Sequence, residues 1–318
     1  MKGEQFVADS ITRVRRDGIE GVENTLYRLY KILWERVDRV SGPILGEGID
    51  AYERRWDVLI VLDGCRADLM AAVADEYDFV TGVPTVRSNA SKTRQWMEET
   101  FSPDRGQEMA ETAYVTGNPF SDVCLRSEDF AALEEVWSEE WDETLGTVPA
   151  EPITDRAISR WRSGDYERMI VHYMQPHFPS VPNPELGSEL HPDRFGQAWD
   201  SIWERLRDGE VAEGTVRAAY RKNVEYVLES VKLLVRSIDA ERVVITADHG
   251  NSFGSWGLYG HPRAPVAAVR NVPWCELSAR DVSGYEPTTT AHRDAERDRV
   301  AGELDEGVES KLRDLGYL

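Results

Sequence analysis

Short apolar runs alternate with helical stripes along the chain. Val58-Leu59-Ile60-Val61-Leu62 is a continuous apolar run of the kind that fills a strand buried on both faces. Ala113-Tyr114-Val115, Met169-Ile170-Val171 and Val243-Val244-Ile245-Thr246 repeat the pattern, and Val266-Ala267-Ala268-Val269 is a weaker fifth run. Val224, Val227, Leu228, Val231, Leu234 and Val235 recur at helical spacing directly before the run at 243; weaker helical patterns lie over 66–76, 127–138 and 152–162. Strands alternating with helices predict an α/β fold, a doubly wound, mostly parallel sheet with helices on both faces. The stretches 178–215 and 276–292 are rich in Pro, Gly and charge and predict loops, whereas 293–314 predicts a closing helix. Before the first strand, Val22, Leu26, Leu29, Leu33 and Val37 form one apolar stripe, ended by Ser41-Gly42-Pro43. This predicts an N-terminal helical extension over 1–50, packed by its stripe on one large domain over 51–318. Acid and base mix on its polar face, which argues against a helix lying on a membrane surface.

Composition narrows the function. Over 318 residues, 41% hydrophobic content excludes wholesale disorder. The 58 acidic and 37 basic residues leave a net charge of −21, which repels phosphate, so no nucleic-acid partner is expected. No run approaches the ~18 apolar residues that would span a membrane, and no signal-peptide pattern opens the chain. Three unclustered cysteines (Cys65, Cys124, Cys275) provide neither a disulfide framework nor a Cys-rich zinc site and fit a reducing cytoplasm. Only six of the basic residues are Lys. Heavy acid with Arg favoured over Lys predicts a halophilic protein, whose melting temperature rises between low and molar KCl as salt screens its self-repulsion. Equal melts in the two conditions would contradict this.

In an open parallel sheet the residues after each strand line the ligand crevice. Asp63-Gly64-Cys65-Arg66-Ala67-Asp68 follows the run at 58, His172-Tyr173-Met174-Gln175-Pro176-His177 follows or overlaps the run at 169, and Asp248-His249-Gly250-Asn251 follows the run at 243. Carboxylates and imidazoles gathered at one sheet edge suit a divalent metal ion. His172 belongs to its strand and predicts a core residue, and Arg66 is expected to pair with Asp68. His191 and His292 lie in polar context and predict surface positions.

With these residues in place, the chain resembles the alkaline phosphatase superfamily, in particular its sulfatase-like and phosphodiesterase-like branch. The pairing of VLIVLDGCRAD with VVITADHGNSFG and a later GHP carries the likeness. Between them, SNASKT is similar to the nucleophile segment and HYMQPHFP to the middle histidine loop, while the terminal LRDLGYL is similar to the end of many sulfatase-like chains. The resemblance implies that Asp63, Asp248 and His249 hold a metal ion and that Thr93 is the nucleophile, with Ser91 as the alternative. It implies that His177 and His261 either ligate a second ion or contact the leaving group directly. The cofactor expected is one or two divalent ions (Zn, Mn, Mg or Ca). The physical need is independent of the family: a Thr hydroxyl is a poor nucleophile at neutral pH unless a metal favours its alkoxide. Thr93-Arg94-Gln95-Trp96-Met97 has neither the Cys nor the Pro of a formylglycine motif, which argues against that chemistry. Asn251 replaces the acid that usually follows Asp-His-Gly, and Gln175 stands where two-metal relatives bring a carboxylate. The expected function is metal-dependent hydrolysis of a phosphate mono- or diester, with a small anionic ester as substrate and a covalent phospho-threonine intermediate. Sulfate-ester hydrolysis, head-group phosphotransfer and an inactive binding protein of the same fold are the alternatives.

Overall fold

The computed structural model describes residues 2–46, 48–164, 166–187 and 201–288; the side chains of residues 2–17, 19, 20 and 43–45 are not among those described. The predicted closing helix over 293–314, the LRDLGYL end, His191 and His292 lie outside these residues.

The apolar runs form the centre of a six-stranded sheet. We label its strands β1 (Val58–Leu62), β2 (Thr112–Thr116), β3 (Ala132–Glu135), β4 (Arg168–Tyr173), β5 (Ala240–Thr246) and β6 (Cys275–Ala279). Their spatial order is β6-β5-β1-β4-β2-β3. The first five strands are parallel, and β6 closes one edge antiparallel to β5. Ile60 sits in register between Val171 of β4 and Ile245 of β5, so β1 is central and every residue of it is fully buried.

Helices cover both faces, as the alternation of side chains along a strand requires. Adjacent residues of β4 show this. The Tyr173 hydroxyl bonds Thr154 Oγ1 at 2.8 Å on helix α3 (Ala150–Ser163). The ring of His172 points the other way, with its centroid 5.5 Å from that of Trp96 on helix α2 (Thr93–Thr100). His172 is therefore a core residue, as expected: Tyr114 Oη bonds its Nδ1 at 2.7 Å, and burial lowers its pKa to about 4. The stripe at 224–235 belongs to a longer helix, α5 (Glu213–Val235), preceded by α4 (Ile202–Arg207).

Three local expectations fail. Val266–Val269 is not a strand; Ala267–Arg270 is a short helix. The two alanines tolerate a helical turn, and the buried Arg270 guanidinium that ends it bonds Asp38 at 2.6 Å. The helix expected over 127–138 instead contains strand β3, whose sequence Ala-Leu-Glu-Glu carries little β signal. Its Glu134 is only 5% exposed because Arg156 and Arg160 of α3 reach it. Removing one partner strands buried charge, so Glu134→Ala is expected to cost about 3 kcal/mol in a denaturant melt, a loss far above that of a surface acid. Within 276–292, read as loop, β6 extends to Ala279. Its alternating exposure is that of an edge strand.

The largest difference is one of packing and concerns α1 (Lys2–Leu45), a helix with a break at Gly18 (φ 60°). The helix is present, but its apolar stripe does not face the domain: Val22, Leu26, Leu29, Leu33 and Val37 are all exposed, Leu26 by 60%. The inward face is polar and aromatic. Asn24 accepts from Arg207 at 2.6 Å, Tyr27 Oη accepts from the Tyr259 amide at 3.0 Å, and Tyr30 donates to the Trp256 carbonyl at 2.7 Å. Trp34 packs on the small core of Leu258, Ala264, Val266 and Val269, and buried Asp38 pairs with Arg263 and Arg270. Asn24, Tyr27, Trp34 and Asp38 recur on one helical face, opposite the stripe. Specific hydrogen bonds and an ion pair outweigh the generic preference to bury the leucines there.

Candidate metal and nucleophile site

The residues after β1 and β5 meet at the carboxyl edge of the sheet. Asp63 directly follows β1, and Asp248 and His249 follow β5. All three are fully buried, and one ligand atom from each lies within 4.8 Å of the others. Thr93, the first residue of α2, brings its hydroxyl to 3.3 Å from Asp63 Oδ2 and 3.2 Å from His249 Nε2.

Backbone groups orient each donor. Asp248 Oδ1 accepts from the amides of Gly64 at 2.9 Å and His249 at 2.8 Å, which leaves Oδ2 facing His249 Nε2 at 3.4 Å. Burial raises the Asp248 pKa, but His249, His172 and the Gly64 amide outweigh it and hold the carboxyl below its ordinary value. His249 Nδ1 lies 3.0 Å from the Gly250 carbonyl, a contact that places the proton there and a lone pair on Nε2. Two carboxylates and one such imidazole are a donor set that fits a divalent ion of the Zn or Mn type. Asp63, Asp248 and His249 would hold it. Among the described residues no other group of three His, Cys, Asp or Glu converges in this way.

Gly64 makes this turn possible. Its φ is +69°, and a Cβ there would stand 2.5 Å from Asn251 Nδ2. Gly64→Ala is expected to cost about 2 kcal/mol of stability, from left-handed backbone strain plus the clash. Thermal melts and metal titration would check this, since the displaced Gly64 amide also releases Asp248.

His177 and His261 form a second layer. Their Nε2 atoms lie 3.1 Å apart, and His261 stacks on His249 with centroids 4.6 Å apart. His177 Nδ1 contacts the Phe178 carbonyl at 2.5 Å, so its Nε2 accepts and His261 donates. Burial lowers the His177 pKa to about 4 and that of His261 well below its ordinary value. His249 lowers both further, and Lys92 and Lys31 add to the effect on His261. Both imidazoles are therefore neutral at pH 7. Gln175 turns away and donates to the Val148 carbonyl at 2.9 Å, so no carboxylate substitute enters from that position. Arg66 pairs with Asp68 at 2.7 Å as expected, and its other nitrogen donates to the Asn251 carbonyl. Ser91, the alternative nucleophile, is buried, and its amide donates to Gln95 Oε1 at 3.3 Å.

Two site residues escaped the sequence reading. Asn118, fully buried, donates from Nδ2 to Asp63 Oδ2 at 2.8 Å. It stands two residues beyond the end of β2, so the rule that singled out Asp63 and Asp248 applies to it equally. Ser88 Oγ donates to the Asp248 carbonyl, and its own carbonyl accepts from Arg270 at 3.3 Å. No local signal marks Ser88, because the partners are 160 and 182 residues away.

No protein-family model matches the sequence, and neither does any curated protein. Solved structures do match. The integral membrane protein lipooligosaccharide phosphoethanolamine transferase A from Neisseria meningitidis aligns over 71% of this chain and 48% of its own, with a TM-score of 0.51 at 17% identity. The soluble domain of the same transferase aligns over 70% of this chain and 75% of its own, with a TM-score of 0.51 at 16% identity. The chain thus spans about half the length of the full membrane protein. The sheet and its helices share the fold of these two structures, a doubly wound α/β architecture of the kind the motifs led us to expect. At these identities the likeness establishes the fold, and the chemistry is argued from the site.

Proposed function

We propose that this protein is a metal-dependent enzyme that takes a phosphoryl group from a small anionic ester onto Thr93 and then passes it to water. The placement of the Thr93 hydroxyl carries this reading. It is held 3.2–3.3 Å from His249 Nε2 and Asp63 Oδ2, inside the only converging carboxylate–imidazole cluster among the described residues. A divalent ion bound there would supply Lewis acidity, lowering the hydroxyl pKa and offsetting charge on the ester oxygens.

The chain's own groups complete the reaction. Thr93 Oγ1 gives up its proton to Asp63 Oδ2, 3.3 Å away, and attacks phosphorus in line; the lone pair of His249 Nε2 is reserved for the ion. The bond to the leaving oxygen breaks and that oxygen takes a proton from water; the His261 N–H, which bonds His177 Nε2 at 3.1 Å, would hydrogen-bond it only on turning away from His177. Asn118 fixes Asp63, and the Gly64 and His249 amides fix Asp248, so the donors need little reorganisation. Water then attacks the phospho-threonine, breaking the new P–O bond and restoring the hydroxyl. Thr93 serves as nucleophile rather than Ser91 because it is the hydroxyl whose contacts reach both Asp63 and His249.

An acceptor alcohol can replace water in the second step, which would make the enzyme a head-group transferase, the activity named for the matching Neisseria protein. Product analysis with an aryl phosphate, an aryl phosphodiester and an aryl sulfate, each with and without glycerol, separates these outcomes. Release of inorganic phosphate unaffected by glycerol supports hydrolysis. Phosphoglycerol formation in its place supports transfer, and preferential sulfate release would overturn the phosphoryl assignment.

A further inference from the structure

The outward stripe of α1 has no role in the chemistry above. Val22, Leu26, Leu29, Leu33, Val37 and Val40 are 37–71% exposed and follow one another at intervals of three or four residues. They form a straight apolar band about 27 Å long. Burying the band was not sacrificed for want of a helix face, since the opposite face makes all the contacts with the domain. Another exposed apolar group stands beside the middle of the band: Trp256, 71% exposed, is held by the Tyr30 bond to its carbonyl and by a ring contact with Trp34 at 6.2 Å. Exposed Arg36 lies along one edge, one turn from Leu33 and Val40, and exposed Arg39 follows it. Acid mixes with this base, as the sequence indicated: Glu35 pairs with Arg39 at 4.0 Å and exposed Glu23 lies near the other edge, so the exposed apolar band, which the sequence reading turned inward, carries the inference and not the charge of the polar face.

We infer that α1 is a docking surface for a lipid bilayer of no net charge, with the band lying in the interface plane rather than crossing it. Three observations favour this occupant over a second copy. Two such single-helix faces would bury roughly 600–1,000 Å2, less than the ~1,200 Å2 at which stable protein interfaces begin. Two chains of charge −21 repel one another. Leu and Val flanked along one edge by Arg36 and Arg39, with Trp256 and Tyr30 beside the middle of the band, match an interfacial helix, in which aromatics sit at headgroup level and Arg meets lipid phosphate. No helix among the described residues is long and apolar enough to span a membrane. The inference does not depend on the chemistry proposed for Thr93.

Sedimentation of the full chain with phosphatidylcholine vesicles tests it. The wild type is expected to co-sediment, and binding should persist in molar KCl because apolar insertion is not screened. The Leu26→Asp/Leu33→Asp variant changes two exposed side chains and should keep the wild-type circular dichroism and melting temperature, while its vesicle partitioning falls at least ~30-fold. Three results would overturn the inference: no vesicle binding by the wild type, equal binding by the variant, or binding lost entirely in molar KCl. A concentration-dependent dimer that the variant dissolves, with no vesicle binding, would assign the band to a second copy instead.

Discussion

Thr93→Ala is expected to lower turnover on a phosphate ester by at least ~1,000-fold while leaving the protein folded and able to bind metal. The substitution removes the hydroxyl that contacts Asp63 and His249 but none of the three proposed metal donors. It also removes a buried methyl group, a loss of about 1 kcal/mol that a melt would show separately. Thr93→Ser keeps an oxygen in place and should retain measurable activity. Ser91→Ala should stay near wild type. Acid quenching during turnover of a labelled phosphate ester should leave label on the peptide containing Thr93 and none on that peptide in the Ala variant. Full activity in Thr93→Ala, or label on Ser91, would refute the nucleophile assignment.

The second large effect belongs to Asp248. Asp248→Asn preserves size and the oxygen that accepts from the Gly64 and His249 amides, but it removes the charge facing His249 Nε2. Metal content after dialysis should fall from stoichiometric to trace, with activity falling at least ~100-fold. The wild type gives the matching stability readout. Stripping with a chelator and restoring a divalent ion to 100 times its Kd should stabilise the fold by about 2.7 kcal/mol, visible as a higher melting temperature. The Asn variant should show no such rise. Because the donors bind metal as carboxylate and neutral imidazole, acid weakens binding: protons compete for the same lone pairs, and the stabilisation is present at neutral pH and lost as pH falls. A chelated wild type that keeps its activity and melting temperature would remove the metal from the mechanism.

Much of this architecture could be read locally. The runs at 58, 169 and 243 became adjacent central strands because a continuous apolar segment has no solvent-tolerant face and must be covered on both sides. The site's position followed from them, since chain leaving a parallel strand emerges at one edge. Strand β3 was not legible: its Glu134 and Glu135 look like surface residues until Arg156 and Arg160 are brought against Glu134. The edge strand β6 was missed because a strand exposed on one side alternates apolar and polar residues over too few positions to stand out.

The sequence by itself determined the central sheet, the strand-end positions of Asp63, Asp248 and His249, and the presence of a helix before residue 45. These follow from patterns spanning a few neighbouring residues. Tertiary structure alone decided that Thr93 reaches Asp63 across 30 residues, that Asn118 braces the Asp63 carboxylate and Ser88 the Asp248 backbone, and which face of α1 turns inward. That last choice depended on bonds from Asn24, Tyr27 and Asp38 to partners about 180 to 230 residues away. Periodicity reveals that a helix has two faces, but only the groups waiting on the folded domain determine which one it receives.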